Sequence, residues 1–188
     1  MEEVQKDTKN IIMDYKFYIG KGLDNIMFYY KEKDVLKVLG NPTEVETQYD
    51  NYKDGTTGKV VIYYYNNRNL SISFNYYGGE QESIRIYTDK IIFKGYDLYK
   101  KNKEEIINLI CNISNISKNK AYEKFLFGEC QYNFDDIGLT LWFKGKKLID
   151  VCINKPIGSR YTKAKKRAEI VPGRTQIDKT IILESKKI

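Results

Sequence analysis

The alternation of apolar and polar residues along the chain indicates a duplicated structure. Segments 31–42 and 102–113, offset by 71 residues, both place apolar side chains at i, i+1, i+3 and i+4, the spacing of an amphipathic helix. Asn102 and Glu105 form a capping box at the start of the second segment, and Gly40 is a helix-ending residue in the first. The sequence therefore predicts two short helices at equivalent positions of an internal repeat.

Three strand-like segments follow each predicted helix. In each of them apolar and polar side chains alternate, which is typical of a strand with one buried face. The predicted strands are residues 59–65, 70–74 and 83–87 in the first half, and 128–134, 139–143 and 149–153 in the second. We therefore expect an α+β fold, in which two tandem helix-β-β-β units form one antiparallel sheet with both helices packed on one face.

These patterns divide the chain into four parts. Residues 1–16 form an N-terminal lead-in, residues 17–88 the first repeat and residues 89–153 the second, and the segment before each helix is expected to be an edge strand or a lead-in loop. Residues 154–188 form a C-terminal extension. Its segment 175–183 is strand-like in composition and follows the turn 172–174, so we expect the extension to end in a strand docked on a sheet edge.

The net charge of +7 lies entirely in this extension. Residues 154–188 contain ten Lys or Arg and three Asp or Glu, whereas residues 1–153 contain 22 of each kind. A neutral body disfavours a globally basic nucleic-acid-binding domain. The basic run 160–167 leaves three interpretations open: a solvated segment, a contact with an acidic partner, or a contact with nucleic-acid phosphates.

Composition excludes several kinds of active site. The chain has no histidine, which removes the commonest general base and the commonest zinc ligand. Cys111, Cys130 and Cys152 are widely spaced and form no CxxC motif, so we expect free, buried thiols and no metal site. The acidic pairs 104–105 and 135–136 fall in a helical first turn and in a hairpin turn, where carboxylates have structural roles. We expect no catalytic residues, no cofactor and no enzymatic activity.

The beginning of the chain carries no sign of export. Its first residues are charged and lack the apolar core of a secretory signal. No stretch approaches the ~18 apolar residues of a membrane-spanning helix. We therefore expect a cytoplasmic protein without a membrane partner.

The first predicted helix carries a motif that is followed by strands and duplicated in tandem. The motif is Asp34-Val35-Leu36-Lys37-Val38-Leu39-Gly40-Asn41-Pro42. With it, the chain resembles the β-lactamase-inhibitor-protein-like fold over about residues 17–153, although the second copy has Cys111 in place of Gly40 and Ile113 in place of Pro42. Small cytosolic proteins with this unit are thought to be immunity proteins, which neutralise bacterial toxins. The resemblance implies a protein that acts by binding another protein and has no catalytic residues.

The outward side of the predicted sheet offers residues suited to protein recognition. The alternation of the strands turns Tyr77, Arg85, Tyr87, Trp142 and Lys144 away from the core. Trp, Tyr and Arg are the residue types enriched in binding hot spots. We expect these residues to bind the partner, although Trp142 has a second interpretation, in which the extension or the other half of the protein covers it.

Two functions of different classes follow from these observations. The first is a non-enzymatic bacterial immunity protein that neutralises a cognate toxin by occluding it. The alternative is a nucleic-acid-associated accessory protein that acts through residues 154–188. The second function predicts binding that weakens steeply with salt.

Overall fold

The computed structural model describes residues 14–116, 122–126, 128–156 and 176–181. Within them lie two α-helices, α1 (Glu32–Leu39) and α2 (Lys103–Ser114), and two 3₁₀ turns, Asn66–Arg68 and Leu98–Lys100. The strands are β1 (Tyr15–Tyr18), β2 (Gly22–Leu23), β3 (Ile26–Met27), β4 (Glu44–Asn51), β5 (Thr57–Tyr65), β6 (Leu70–Tyr77), β7 (Glu80–Thr88), β8 (Ile91–Phe93), β9 (Tyr96–Asp97), β10 (Tyr122–Leu126), β11 (Glu129–Phe134), β12 (Leu139–Lys144), β13 (Lys147–Asn154) and β14 (Gln176–Ile181).

The strands form two sheets. The larger has nine strands in the order β10-β11-β12-β13-β7-β6-β5-β4-β14, and every neighbouring pair is antiparallel. The smaller has five strands in the order β3-β2-β1-β8-β9, with a parallel pair between β1 and β8. The pairing of β13 with β7 joins two four-stranded meanders, one after each helix, into a continuous sheet.

One hydrophobic core lies between the two sheets. It contains side chains from the small sheet, from both helices and from one face of the large sheet, such as Phe93, Val35, Ile110 and Phe74. Polar contacts fix α1 against that face, because the hydroxyl groups of Tyr63 and Tyr76 both donate to the Glu32 carboxylate. The opposite face of the large sheet, which we call the outer face, is therefore the one left for other contacts.

The predicted fold class is wrong. Over half of the described residues lie in strands, and the molecule is a β-rich sandwich of two sheets instead of two helix-β-β-β units on one sheet. Each helix is followed by four strands, and the short segments before the helices build the second sheet. The prediction missed the first strand of the first meander, β4, whose sequence EVETQYDN contains only two apolar residues, Val45 and Tyr49.

The local elements of the prediction are confirmed. Five of the six predicted strands lie inside longer observed strands, and the sixth, 128–134, begins one residue before β11. The amides of Glu104 and Glu105 donate to the Asn102 side chain, and the Asn102 amide donates to Glu105, which completes the capping box. Gly40 ends α1 with φ of 78°, a conformation that a side chain disfavours. The three cysteines are free and buried.

The C-terminal extension ends in a strand on the sheet edge, as predicted. β14 pairs with β4 from Gln176, opposite Tyr49, to Ile181, opposite Glu44. The basic run 160–167 and residues 175, 182 and 183 lie outside the described residues.

An ion pair fastens β14 to the sheet. The Glu46 carboxylate is 6% exposed, and its Oε2 lies 2.8 Å from the Lys179 ammonium of β14. Its Oε1 accepts a hydrogen bond of 2.6 Å from the Gln48 amide. Lys179 and Gln48 hold the pKa of Glu46 below its usual value. The ion pair between Glu46 and Lys179 therefore stabilises the attachment of β14 to the sheet edge as long as Glu46 is ionised.

We expect β14 to loosen in acid. The folded-state pKa of Glu46 is lowered, so the stabilisation is fully present above its ordinary pKa and is lost as the pH falls from there through the lowered pKa. Amide hydrogen exchange should show protection in β14 falling with pH before protection in β5 and β6. The Glu46→Gln variant, which has no charge to lose at this position, should show little of this pH dependence. A pH response equal to that of the unmodified protein would contradict the assignment.

Candidate functional site

Three of the predicted partner-binding residues come together on the outer face. Tyr87 lies between Ser71 of β6 and Cys152 of β13, and Arg85 precedes it by two residues on the same side of β7. The rings of Tyr87 and Trp142 are 6.3 Å apart between centroids and are tilted by 33°, and we call them the aromatic pair. Arg85 is exposed and both rings are half-buried.

The two other predicted residues lie apart from the aromatic pair. Tyr77 stands six residues beyond Ser71 on β6, or about 20 Å along the strand. There its hydroxyl donates to Asp54 at 2.9 Å and its ring meets the ring of Tyr52 edge to face. Lys144 is the exposed last residue of β12. The five residues therefore do not form one continuous patch.

The outer face is not uniformly open to solvent. Thr140 and Cys152 are buried there, and the Thr140 hydroxyl donates to Asn133 at 3.0 Å. Burial raises the pKa of the Cys152 thiol and of the Tyr87 hydroxyl. The sheet around Trp142 is therefore partly covered, in line with the interpretation that other parts of the protein shield Trp142.

A cleft opens on the outer face beside the aromatic pair. Its volume is about 500 Å³. The lining residues come from the β5–β6 turn and from β5, β6, β7 and β13: Tyr64, Asn66, Asn69, Leu70, Ser71, Tyr87, Thr88, Asp89 and Asp150. The two carboxyl groups at one end distinguish this cleft from the rest of the face, and we call it the acidic cleft.

The carboxyl groups of the acidic cleft are electrostatically unusual. Burial, together with the nearby charges of Asp89 and Glu129, raises the pKa of Asp150 to about 6. Burial also raises the pKa of Asp89. Neither residue was predicted, because in the sequence Asp150 is an ordinary polar position of an alternating strand and Asp89 is a typical turn residue.

A second polar cluster lies on the core side of the sheet, where α2 begins. The Lys103 ammonium is 2.6 Å from Glu123 Oε1 and 3.2 Å from the Cys130 sulfur. The Cys130 thiol donates to Glu123 at 2.7 Å, and the Tyr132 hydroxyl donates to the same carboxylate at 3.1 Å. A lysine, a carboxylate and a thiol in contact are the components of a nucleophilic site, so their ionisation decides what they can do.

The ionisation of this cluster favours a structural role. Burial and the Glu123 carboxylate raise the pKa of the Cys130 thiol, and the raising effects exceed the opposing influence of Lys103. A nucleophilic cysteine needs the opposite shift, toward the thiolate. The same contacts fasten the first turn of α2 to β10 and β11 through Lys103. We therefore assign the cluster to the attachment of α2 to the sheet.

Metal-binding and membrane-spanning features were sought in the same part of the chain. Across residues 14–116, 122–126, 128–156 and 176–181, no three Cys, Asp or Glu side chains gather as metal ligands would. The helices of these segments are too short and too polar for any of them to cross a membrane.

Comparisons of the chain with protein-family models, with curated proteins and with solved structures found no match.

Proposed function

We propose that the chain is a non-enzymatic, cytoplasmic protein-binding module of the immunity-protein kind, which neutralises a toxin by occluding it. The observation that carries the proposal is the aromatic pair with Arg85 on the outer face of the large sheet. The resemblance of the Asp34–Pro42 motif to toxin-inhibiting proteins points in the same direction.

Physical considerations support this surface as the site of contact. Aromatic rings and guanidinium groups dominate binding energies when they become fully desolvated in a complex. The aromatic pair stands on the central strands β7 and β12, whose neighbours on both sides hold the backbone in place. A rigid surface loses little conformational entropy on binding. Tyr77 and Lys144, which lie farther out, would belong to the polar rim.

Substitutions of Trp142 and Arg85 test the proposal. A partner captured with the tagged full-length chain should bind Trp142→Ala and Arg85→Ala more weakly by at least about 2 kcal/mol each, measured by titration calorimetry. The matched control is Tyr29→Ala, since Tyr29 is 78% exposed on the loop between β3 and α1. Unchanged affinity in folded Trp142→Ala and Arg85→Ala variants would reject this surface.

The alternative function, a nucleic-acid-associated accessory protein, rests on the charge of the extension. Replacing the five Lys and Arg residues of 160–167 by Gln removes most of that charge and leaves β14 in place. If the alternative is correct, the unmodified chain binds DNA or RNA with an affinity that falls steeply with salt, and the variant does not. If the immunity function is correct, nucleic-acid binding is weak in both proteins.

A further inference from the structure

The acidic cleft lies in a notch of the large sheet. β7 ends at Thr88, which pairs with Val151, whereas β13 extends back beyond this point to Lys147. Asp89 follows Thr88 and Asp150 precedes Val151, so both carboxyl groups lie at the same corner. Chain reversal and strand pairing bring together two acids that are 61 residues apart in sequence.

Aromatic side chains flank these carboxyl groups. Tyr64 and Tyr87 line the cleft, and Trp142, whose ring packs beside Tyr87, is the cross-strand partner of Asp150. The cleft is open to solvent, and its volume of about 500 Å³ is enough to admit a long side chain. Carboxylates beside aromatic faces form a site for a cation, through charge-assisted hydrogen bonds and cation–π contacts.

The charges around Asp150 contain no counter-cation among the residues that the structure describes. The groups that act on Asp150 or respond to it electrostatically are Asp89, Glu129, Tyr99 and Cys152, all of them acidic or neutral. The charge of Lys90 acts on the neighbouring Asp89, and that of Arg85 acts on Tyr87 and Cys152. The contrast lies on the same face of the same sheet, where the buried carboxylate of Glu46 is paired with Lys179 at 2.8 Å. Among the described residues, Asp150 is therefore the carboxyl group of the cleft that has no cation beside it, and the cleft has space for one.

We propose that the acidic cleft binds a cationic side chain of the protein partner, an arginine or a lysine, between Asp89, Asp150 and the ring of Tyr87. The inference deepens the proposed function, on which it rests, and adds the chemistry of the partner: a basic residue enters beside the aromatic pair. The neutral net charge of residues 1–153 does not oppose this, because the attraction is local to the cleft.

The site is tested without the partner, with N-acetyl-argininamide as the probe. Trp142 is the only tryptophan, so its indole N–H signal and its fluorescence report on the cleft directly. At about pH 7.5 the probe should shift this signal saturably, with an affinity in the millimolar range that is typical of so small a ligand. The neutral analogue N-acetyl-citrullinamide, which has nearly the same shape, should bind at least about tenfold more weakly.

Variants locate the contact. Asp150→Asn and Asp89→Asn should each weaken the probe by about tenfold, whereas Glu80→Gln, at the opposite end of β7, should leave its affinity unchanged. Binding by the unmodified chain should also weaken on lowering the pH to about 5, because Asp150 takes up a proton near pH 6. Equal binding of both probes, or full affinity in both Asn variants, would overturn the proposal.

The chain's own basic extension is the competing occupant. The variant with Gln at the five basic positions of 160–167 distinguishes the two cases. If only this variant binds the probe, the extension fills the cleft, and a partner's side chain does not. If the probe binds as expected but affinity for the captured partner ignores Trp142 and Arg85, the cleft stands and the proposed function falls.

Discussion

Replacing Gly138 by alanine is expected to destabilise the protein by about 3–5 kcal/mol, among the largest effects of a single methyl group. Gly138 ends the β11–β12 turn with φ of 70°. A Cβ atom there would lie 2.0 Å from the carbonyl oxygen of Asn154 and 2.9 Å from the nitrogen of Pro156. Both contacts are with backbone, so no side chain can rotate away. The Asn154 amide also donates to the Gly138 carbonyl, which ties the turn to the end of β13.

Gly145 provides the matched control. It lies in the β12–β13 turn with φ of 61°, and a Cβ atom there would meet nothing within 4 Å. Gly145→Ala therefore carries only the cost of a positive φ, about 1 kcal/mol. Urea denaturation with linear extrapolation measures both free energies of unfolding. Equal losses of stability in the two variants would contradict the close approach of Gly138 to the Asn154 backbone.

Replacing Phe74 by alanine is expected to destabilise the protein by about 3–5 kcal/mol, because it removes a ring from the centre of the core. Phe74 is 0% exposed and stands on β6 between Val61 and Ile84. Its ring meets that of Tyr63 at 5.2 Å between centroids, edge to face. The hydrogen-bonded strands on both sides prevent the backbone from closing the cavity, so most of the cost remains.

The same substitution at an exposed phenylalanine isolates the effect of burial. Phe125 lies on the edge strand β10 and is 73% exposed, so Phe125→Ala should change the free energy of unfolding by less than about 0.5 kcal/mol. If the two variants differ in denaturation midpoint but not in slope, the difference in their stability comes from the folded state. Similar losses at the two positions would contradict the placement of the core.

The sequence analysis identified elements whose signals are local. Strand β6 shows an apolar residue at every second position from Leu70 to Phe74, and α2 begins with a capping box at Asn102, so both were found from a few neighbouring residues. β4 was missed because only Val45 and Tyr49 of its eight residues are apolar, although polar and β-prone positions do alternate along it. Its pairing with β14 and β5, more than its own pattern, makes it a strand.

The candidate site shows the same division. Alternation correctly placed Arg85, Tyr87 and Trp142 on one face, since the side of a strand follows from the parity of its positions. The parity of a position does not give its distance along the strand, and Tyr77 and Lys144 lie too far along their strands to join Arg85, Tyr87 and Trp142. The acidic cleft left no local signal, because Asp89 and Asp150 become neighbours only through the pairing of β7 with β13.

Two helices, six of the strands, the free cysteines, the position of the net charge and the parity of the exposed side chains follow from the amino-acid sequence alone. These properties depend on residues a few positions apart, where period, capping and turn chemistry act. The division into two sheets, the parallel pairing of β1 with β8 and the corner where Asp89 meets Asp150 depend on the folded chain. Pairing between distant strands depends on burial summed over the whole core, and no short segment carries that information.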